Sequence, residues 1–287
     1  MGNSLLVLAA GMGSRYGKTK QIESVGRAGE LLIDYSVFDA LRAGFDKFVF
    51  VIRREIEAEF RAKFFDRISK HVNATYVFQE TPAWRDKPMG TTAALLAAEA
   101  VINEPFCAIS ADDYFGPGAF EKIRKFFATN TDDCAAVAFK LENTMSDYGT
   151  VSRGVLDIDK TNNVVGFRER IALRRGEDIN FLTSGVFSPA PPDTRVAMSF
   201  YALRPAVFGH LREIYDDFVK NLNNDPAREC PLSDNLGQLI RDGKIKMRAI
   251  ETQERWAGFT YPADKAAVEG VINDHVAAGV YPAPLWS

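Results

Sequence analysis

The stretch Leu8-Ala9-Ala10-Gly11-Met12-Gly13-Ser14-Arg15-Tyr16-Gly17-Lys18-Thr19-Lys20 decides how the rest of the chain is read. It follows the apolar run Ser4–Ala9, which reads as a buried strand. A glycine-rich loop at a strand end turns backbone N–H groups toward one point and can cradle phosphates. Three ligand-binding patterns compete for it, alongside a tight turn that binds nothing. The dinucleotide pattern GxGxxG finds its third glycine, Gly17, one residue late. No strand-end acid follows at the spacing that pattern needs, since Glu30 and Asp34 precede a helix. The pattern GxxxxGK[ST] fits Gly17-Lys18-Thr19, but its first glycine falls on Met12, and Gly26 and Gly29 come too soon for a helix opened by Lys18. Ala111-Asp112-Asp113 after an apolar run keeps that reading open as a metal-binding acid.

Outward from the loop, the first half alternates. Helices are expected over Asp34–Ala43, Glu55–Ile68, Thr91–Val101 and Pro117–Ala128, and strands over Lys47–Ile52, Ala74–Phe78, Phe106–Ser110 and Ala135–Lys140. Short, continuously apolar strands alternating with helices predict a parallel sheet covered on both faces, with ligands at the strands' carboxyl ends. After residue 140 the rhythm changes. Gly149–Ile158 and Asn163–Arg168 read as a hairpin, the Pro- and Ser-rich Ser184–Arg195 as a loop, and Val196–Leu203 and Ile245–Ile250 as strands. Helices follow Pro205 and cover Pro231–Arg241 and Pro262–Ala278. The expected organisation is a nucleotide-binding half, residues 1–140, and an acceptor-binding half, residues 141–287, that completes the same fold.

The third loop pattern needs no repair. Leu-Ala-Ala-Gly-x-Gly-x-Arg with a following lysine resembles the loop of the sugar-phosphate nucleotidyltransferases, the nucleoside-diphosphate-sugar pyrophosphorylases. That resemblance implies an α/β fold: three layers around a mainly parallel, doubly wound sheet, with a smaller mixed second half. It implies that Leu8, Ala10, Gly11 and Gly13 border the nucleotide, that Arg15 binds the β- and γ-phosphates, and that Lys20 lies near the reacting phosphates. Thr19 stands where the family usually has proline. Gln79, Gly90 and Thr91 match the family's base-recognition segment and lean toward UTP or dTTP. Asp112 takes the position of a metal-binding aspartate that implies Mg²⁺. Asp113 is left as its partner or as an acid favoured by a helix N-terminus.

The resemblance continues more thinly beyond residue 120. Tyr148-Gly149 matches a sugar-binding segment. Glu169 matches a sugar-contacting glutamate, with Arg170 where the family has lysine, an exchange that is not neutral. Glu229-x-x-Leu232-Ser233-Asp234 resembles a helix start that Ser233 could cap. In Trp256-Ala257-Gly258-Phe259-Thr260, Gly258 stands where the family carries the aspartate that is its second metal ligand. A metal would then be held by Asp112 with phosphates alone, or with Asp113 or Asp264 in place of the missing acid.

Composition narrows the rest. With 35 basic and 38 acidic residues and a net charge of −3, no cationic excess exists to drive polyanion binding, so no nucleic-acid partner is expected. Three cysteines without CxxC spacing argue against a disulfide framework and for a cytoplasmic setting. The run Leu5–Ala10 is too short to span a membrane, so no membrane association is expected. The three histidines show no metal-hydrolase spacing. The expected partners are an NTP and a phosphorylated small molecule, most simply a sugar 1-phosphate, joined with release of pyrophosphate. An oligomer is compatible with the sequence. Alternatives that stay open are a non-sugar acceptor such as phosphocholine, a non-catalytic sugar-nucleotide-binding regulator, and a kinase.

Overall fold

The computed structural model describes residues 2–11, 24–129, 132–223 and 225–286. The first half runs β1 (Ser4–Leu8), α1 (Leu32–Ala43), β2 (Lys47–Ile52), the helical run α2 (residues 54–68), β3 (Ala74–Phe78), α3 (Thr91–Leu96) and β4 (Phe106–Ser110). It continues with the short β5 (Asp113–Tyr114), α4 (Pro117–Thr129) and β6 (Cys134–Lys140). The second half runs β7 (Val151–Ile158), β8 (Val164–Arg175), β9 (Asp178–Thr183), β10 (Val186–Pro189) and β11 (Arg195–Leu203). It ends with α5 (Ala206–Lys220), α6 (Leu232–Arg241), β12 (Met247–Glu251), β13 (Ala257–Gly258) and α7 (Asp264–Ala277). No helix among the described residues is long and apolar enough to cross a membrane.

One large sheet organises the chain. Its order is β10-β9-β8-β7-β11-β4-β1-β2-β3, with β6 and β12 branching from β11. The strands β4, β1, β2 and β3 are mutually parallel. The strand β11 runs antiparallel to β4, β6 and β7, so it joins the two halves into one sheet. The sequence of β2 shows why it lies in the middle. Phe48, Phe50 and Ile52 enter the core on one face, and Val49 and Val51 the core on the other. A strand buried on both faces has no reason to alternate apolar with polar.

Three local expectations need correction. The helix starting at Thr91 ends at Leu96 and continues as turns rather than as a helix to Val101. The helix over 55–68 is irregular, with a 3₁₀ turn at Arg54–Ile56 and a π-helical turn at Arg61–Phe65. The segment expected as a loop from Ser184 contains β10, which pairs with β9. Its turn residues Ser184 and Gly185 have φ of +50° and +82°, the left-handed pair that a two-residue hairpin requires. The residues of β10 are exposed and its Pro189 stands at a sheet edge, where a missing N–H is tolerated. That is why composition hides the strand.

The C-terminus is anchored to α1 by buried acids. Asp34, at the third position of the helix, accepts the Leu31 N–H at 2.7 Å, Arg67 Nη2 at 2.8 Å and Trp286 Nε1 at 2.9 Å. This fits the preference for an acid in the first helical turn. One turn on, Asp39 is buried and accepts the Tyr281 hydroxyl at 2.7 Å, and Tyr281 shares a 2.7 Å hydrogen bond with Tyr114. Burial pushes the Asp39 carboxyl up to about 8. The fold therefore favours neutral Asp39 while the unfolded chain ionises it near its ordinary value. Stability from this group is complete at low pH and is lost as pH rises from about 4 to about 8. Urea unfolding at pH 5 and pH 8 should show Asp39→Asn gaining stability relative to the native chain as pH rises. An identical pH slope in both proteins would contradict the assignment.

Candidate active site

Parallel register sets the site's geometry. Leu8 is level with Val51 of β2 and with Ser110 of β4, and Ile52 is level with Phe78 of β3. The ladder extends past the strand ends, where Ala9 N–H donates to Val51 O at 2.9 Å and Ala111 N–H to Leu8 O at 3.2 Å. Ala10-Gly11, Arg53, Gln79 and Asp112 thus leave four adjacent strands at one edge. There they border a cavity of about 330 Å³, with Leu8, Gly90 and Thr91 also in its wall. A second cavity, of about 460 Å³, opens beside it and is walled by Asp113, Glu169, Ser199, Trp256 and Phe259 among others. Ser110 and Asp112 belong to both walls, so Asp112 stands where the two cavities meet. Gly13, Arg15 and Lys20 lie outside the described residues.

The far end of the first cavity is built by close backbone approach. Gly90 has φ +104°, and a Cβ there would lie 2.6 Å from the Cys230 nitrogen and 2.7 Å from its carbonyl oxygen. Only glycine permits that contact. Cys230 N–H donates to Met89 O at 2.8 Å and Thr92 N–H to Cys230 O at 3.0 Å, which ties the segment before α6 to the start of α3. Gln79, itself buried, donates from Nε2 to Gly90 O at 2.9 Å. Its amide is held so that Oε1 remains to accept from a ligand. The Thr91 hydroxyl accepts the Leu232 N–H at 2.8 Å and so satisfies the first turn of α6. The capping expected of Ser233 is not seen. Pro231 occupies the N-cap, and Ser233 lines the second cavity.

The aspartate pair has its own scaffold. Asp113 begins β5 and pairs with Gly258 of β13, and α4 starts only at Pro117. Asp113 is therefore not a helix N-terminal acid. A Cβ on Gly258 would collide with the Trp256 ring and lie 2.8 Å from Asp113 Oδ1. The place of the second acid in the resembling family is filled here by an indole. Asp264 does not substitute for it. Its oxygens accept the Ser146 hydroxyl at 2.7 Å and the Tyr261 N–H at 2.6 Å at the start of α7.

The second cavity holds residues that sequence reasoning missed. Arg153 is buried in its wall, donates Nε to Thr144 O at 2.9 Å and Nη1 to Ser152 O at 2.8 Å, and lies 4.6 Å from the Trp256 ring centroid. Burial lowers its guanidinium to about 10, opposed by Asp113 and Asp264, so it stays a cation at neutral pH. One signal was available. Val151, Arg153 and Val155 share a strand face, and an arginine between two core valines is out of pattern. Ser199 is the other, with φ +53° at a bulge between Ala197 and Tyr201. A non-glycine residue held there is strained, as residues in binding clefts often are.

The remaining expected residues divide. Glu169 lines the second cavity and accepts the Ser152 hydroxyl. Arg170 is its neighbour on the strand and so points to the other face, where it reaches Thr183 Oγ1 at 3.0 Å. Tyr148 is 52% exposed and borders neither cavity. Gly149 packs against Tyr261, whose hydroxyl a Cβ would approach to 2.6 Å.

Residues 5–257 match the nucleotidyl transferase family. The chain belongs to that family. Its fold is shared with solved structures of low sequence identity. One is assigned as a glucose-1-phosphate thymidylyltransferase from Bacillus anthracis, in complex with a sucrose (17% identity, 95% of this chain and 96% of that one, TM-score 0.66). Another is the inositol-1-phosphate CTP transferase from T. maritima (16% identity, 94% of each chain, TM-score 0.62). A third is a UDP-glucose pyrophosphorylase complexed with UDP-glucose (18% identity, 96% of this chain and 99% of that one, TM-score 0.60). No curated protein sequence matches the chain significantly. Within this family the filled position at Gly258 has a direct consequence. Gly258→Asp should overpack the contact with Trp256 and Asp113, costing about 1–3 kcal/mol in urea unfolding. Unchanged stability would contradict the packing argument.

Proposed function

We propose that this chain is a Mg²⁺-dependent nucleotidyltransferase that joins an NTP to a phosphomonoester and releases pyrophosphate. The observation that carries this reading is the meeting of two cavities at Asp112, one lined by Ala10, Gly11 and Gln79 and one walled by polar and aromatic side chains. An NTP in the first and an acceptor in the second would bring the α-phosphate and the acceptor phosphate together at that carboxylate. A phosphate oxygen of the acceptor attacks Pα in line, the bond from Pα to the bridging oxygen breaks, and pyrophosphate leaves. The nucleophile is already an anion near neutral pH, so no general base is needed. The protein's contribution is alignment and charge stabilisation.

The roles of Arg15 and Lys20 are those the loop motif implies: Arg15 stabilises the leaving pyrophosphate and Lys20 the α-phosphate region. Gln79 and Gly90 hold the base, with UTP or dTTP favoured. Asp112 would hold Mg²⁺, a hard cation that needs only one or two carboxylates when phosphates complete its shell. That open donor set fits the surroundings of Asp112, since Gly258 contributes no carboxylate and the Asp264 oxygens are taken by the Ser146 hydroxyl and the Tyr261 N–H. When bound, the ion neutralises charge developing on the phosphate oxygens. Glu169, with its acidic and hydroxyl neighbours in the second cavity, suits a hydroxylated acceptor, and a sugar 1-phosphate is the simplest one. The reading places the protein in nucleotide-sugar biosynthesis in the cytoplasm, with no nucleic-acid or membrane partner. The glycine at 258 favours a second reading, a regulator that binds sugar nucleotides without turning them over.

A matrix of five NTPs against a panel of sugar and non-sugar phosphomonoesters, with and without Mg²⁺, tests both readings. Pyrophosphate release should require Mg²⁺ and one pairing of substrates. Asp112→Ala and Arg15→Ala should each lose on the order of 10²-fold in turnover. Nucleotide-sugar binding without pyrophosphate release would select the regulator. Near-normal turnover in both variants would refute the assigned chemistry.

A further inference from the structure

The first cavity contains a cation whose use is not yet accounted for. Arg53 follows the end of β2 and lines that cavity. No hydrogen bond or ion pair joins its guanidinium to any described residue, and its Nε is shielded from solvent without a partner. Its neighbour shows the contrast. Arg54 places Nε and Nη2 on Glu80 Oε1 at 3.0 and 2.7 Å and lies 4.3 Å from the Phe78 ring centroid. Two consecutive arginines thus diverge. One is matched to a carboxylate on the exterior, and the other is held unmatched inside the cavity. Arg53 is half-buried with only its Nε shielded, so the rest of its guanidinium faces the cavity side and can donate to an acceptor that a ligand brings there.

Strand order says which part of the nucleotide it meets. Ile52 is level with Phe78, and Gln79 N–H donates to Ile52 O at 2.8 Å, so Arg53 and Gln79 leave adjacent strands side by side. Asp112 follows β4, and β1 lies between β4 and β2. At a spacing of about 4.8 Å per strand, Arg53 leaves the sheet roughly 10 Å from the strand bearing Asp112 and one strand from Gln79. We propose that Arg53 is a base-reading residue that donates to a keto oxygen of the nucleobase, beside the acceptor that Gln79 Oε1 supplies. This rests on the nucleotide-binding reading above. It adds a selection that Gln79 alone does not make. Adenine has no keto oxygen, whereas uracil, thymine, cytosine and guanine each have at least one. An arginine fork aimed at that oxygen favours them over adenine.

Calorimetric binding of nucleoside monophosphates and of inorganic pyrophosphate separates base from phosphate contact. The tightest binder to the native protein should be UMP, dTMP, CMP or GMP rather than AMP. Arg53→Ala should weaken that nucleotide about 10- to 100-fold, the loss expected for one charge-assisted hydrogen bond, and should leave pyrophosphate binding within about twofold. Arg53→Lys should recover part of the loss, and Arg54→Ala should change neither ligand. In turnover, KM for the NTP should rise with kcat little changed, as for a contact made equally in ground and transition states. A tightest binder of AMP, unaltered nucleotide binding in Arg53→Ala, or an equal loss of pyrophosphate binding would each overturn the assignment. Failure of the native protein to bind any nucleotide would instead remove the functional reading beneath it, and this assignment with it. Matching thermal unfolding of the variants confirms that each result comes from a folded protein.

Discussion

The backbone ladder joining β1 to β2 on one side and to β4 on the other is the constraint on which the site depends. Parallel pairing permits no tight hairpin, so each strand end is followed by a loop free to carry function. Because Leu8, Val51 and Ser110 are level, the loops after these strands emerge together. A one-residue slip would turn every side chain of β1 to the opposite face and break the close packing of Leu5 and Val7 in one core and Leu6 in the other. Burial on both faces therefore fixes the placement of Gly11, Arg53 and Asp112 before any of them meets a ligand.

The second half completes the site by approaching these ends rather than by forming a separate unit. The strand β11 enters the sheet antiparallel to β4 and bulges at Ser199, beside Ser110. The segment at Cys230 locks onto Gly90, and β13 lays Gly258 against Asp113. The last two contacts are close approaches that a glycine allows, to the Cys230 backbone at Gly90 and to the Trp256 and Asp113 side chains at Gly258. The cavity walls are thereby held by main-chain hydrogen bonds more than by long side chains, which suits positioning chemistry.

Much of the first half was readable from residue order, because buried parallel strands carry an unmixed apolar signal. Lys47–Ile52, Ala74–Phe78 and Phe106–Ser110 lie at the expected residues, and Asp112 lies at the strand end where a metal-binding acid was sought. The second half was harder for physical reasons. The hairpin β9–β10 exposes apolar residues such as Val186 and Phe187 while burying Ile179, so no inside–outside alternation marks it. Consecutive residues of a strand face opposite ways, and that parts Glu169 from Arg170 although a motif pairs them. Arg153 stands out in sequence only as a cation between two core valines, and Arg53 is unremarkable there. Their meaning comes from what surrounds them, the Trp256 ring for one and the lack of any described partner for the other.

The central claim is that bond breakage occurs at the α-phosphate, where the two cavities share Asp112. Following the fate of radiolabel from NTP labelled separately at the α- and γ-phosphates tests this most directly. Label from the α-position should appear in the joined nucleotide product, and label from the γ-position in pyrophosphate. Label from the γ-position recovered in a phosphorylated acceptor or in inorganic phosphate, without pyrophosphate, would contradict the account and point to phosphoryl transfer or hydrolysis.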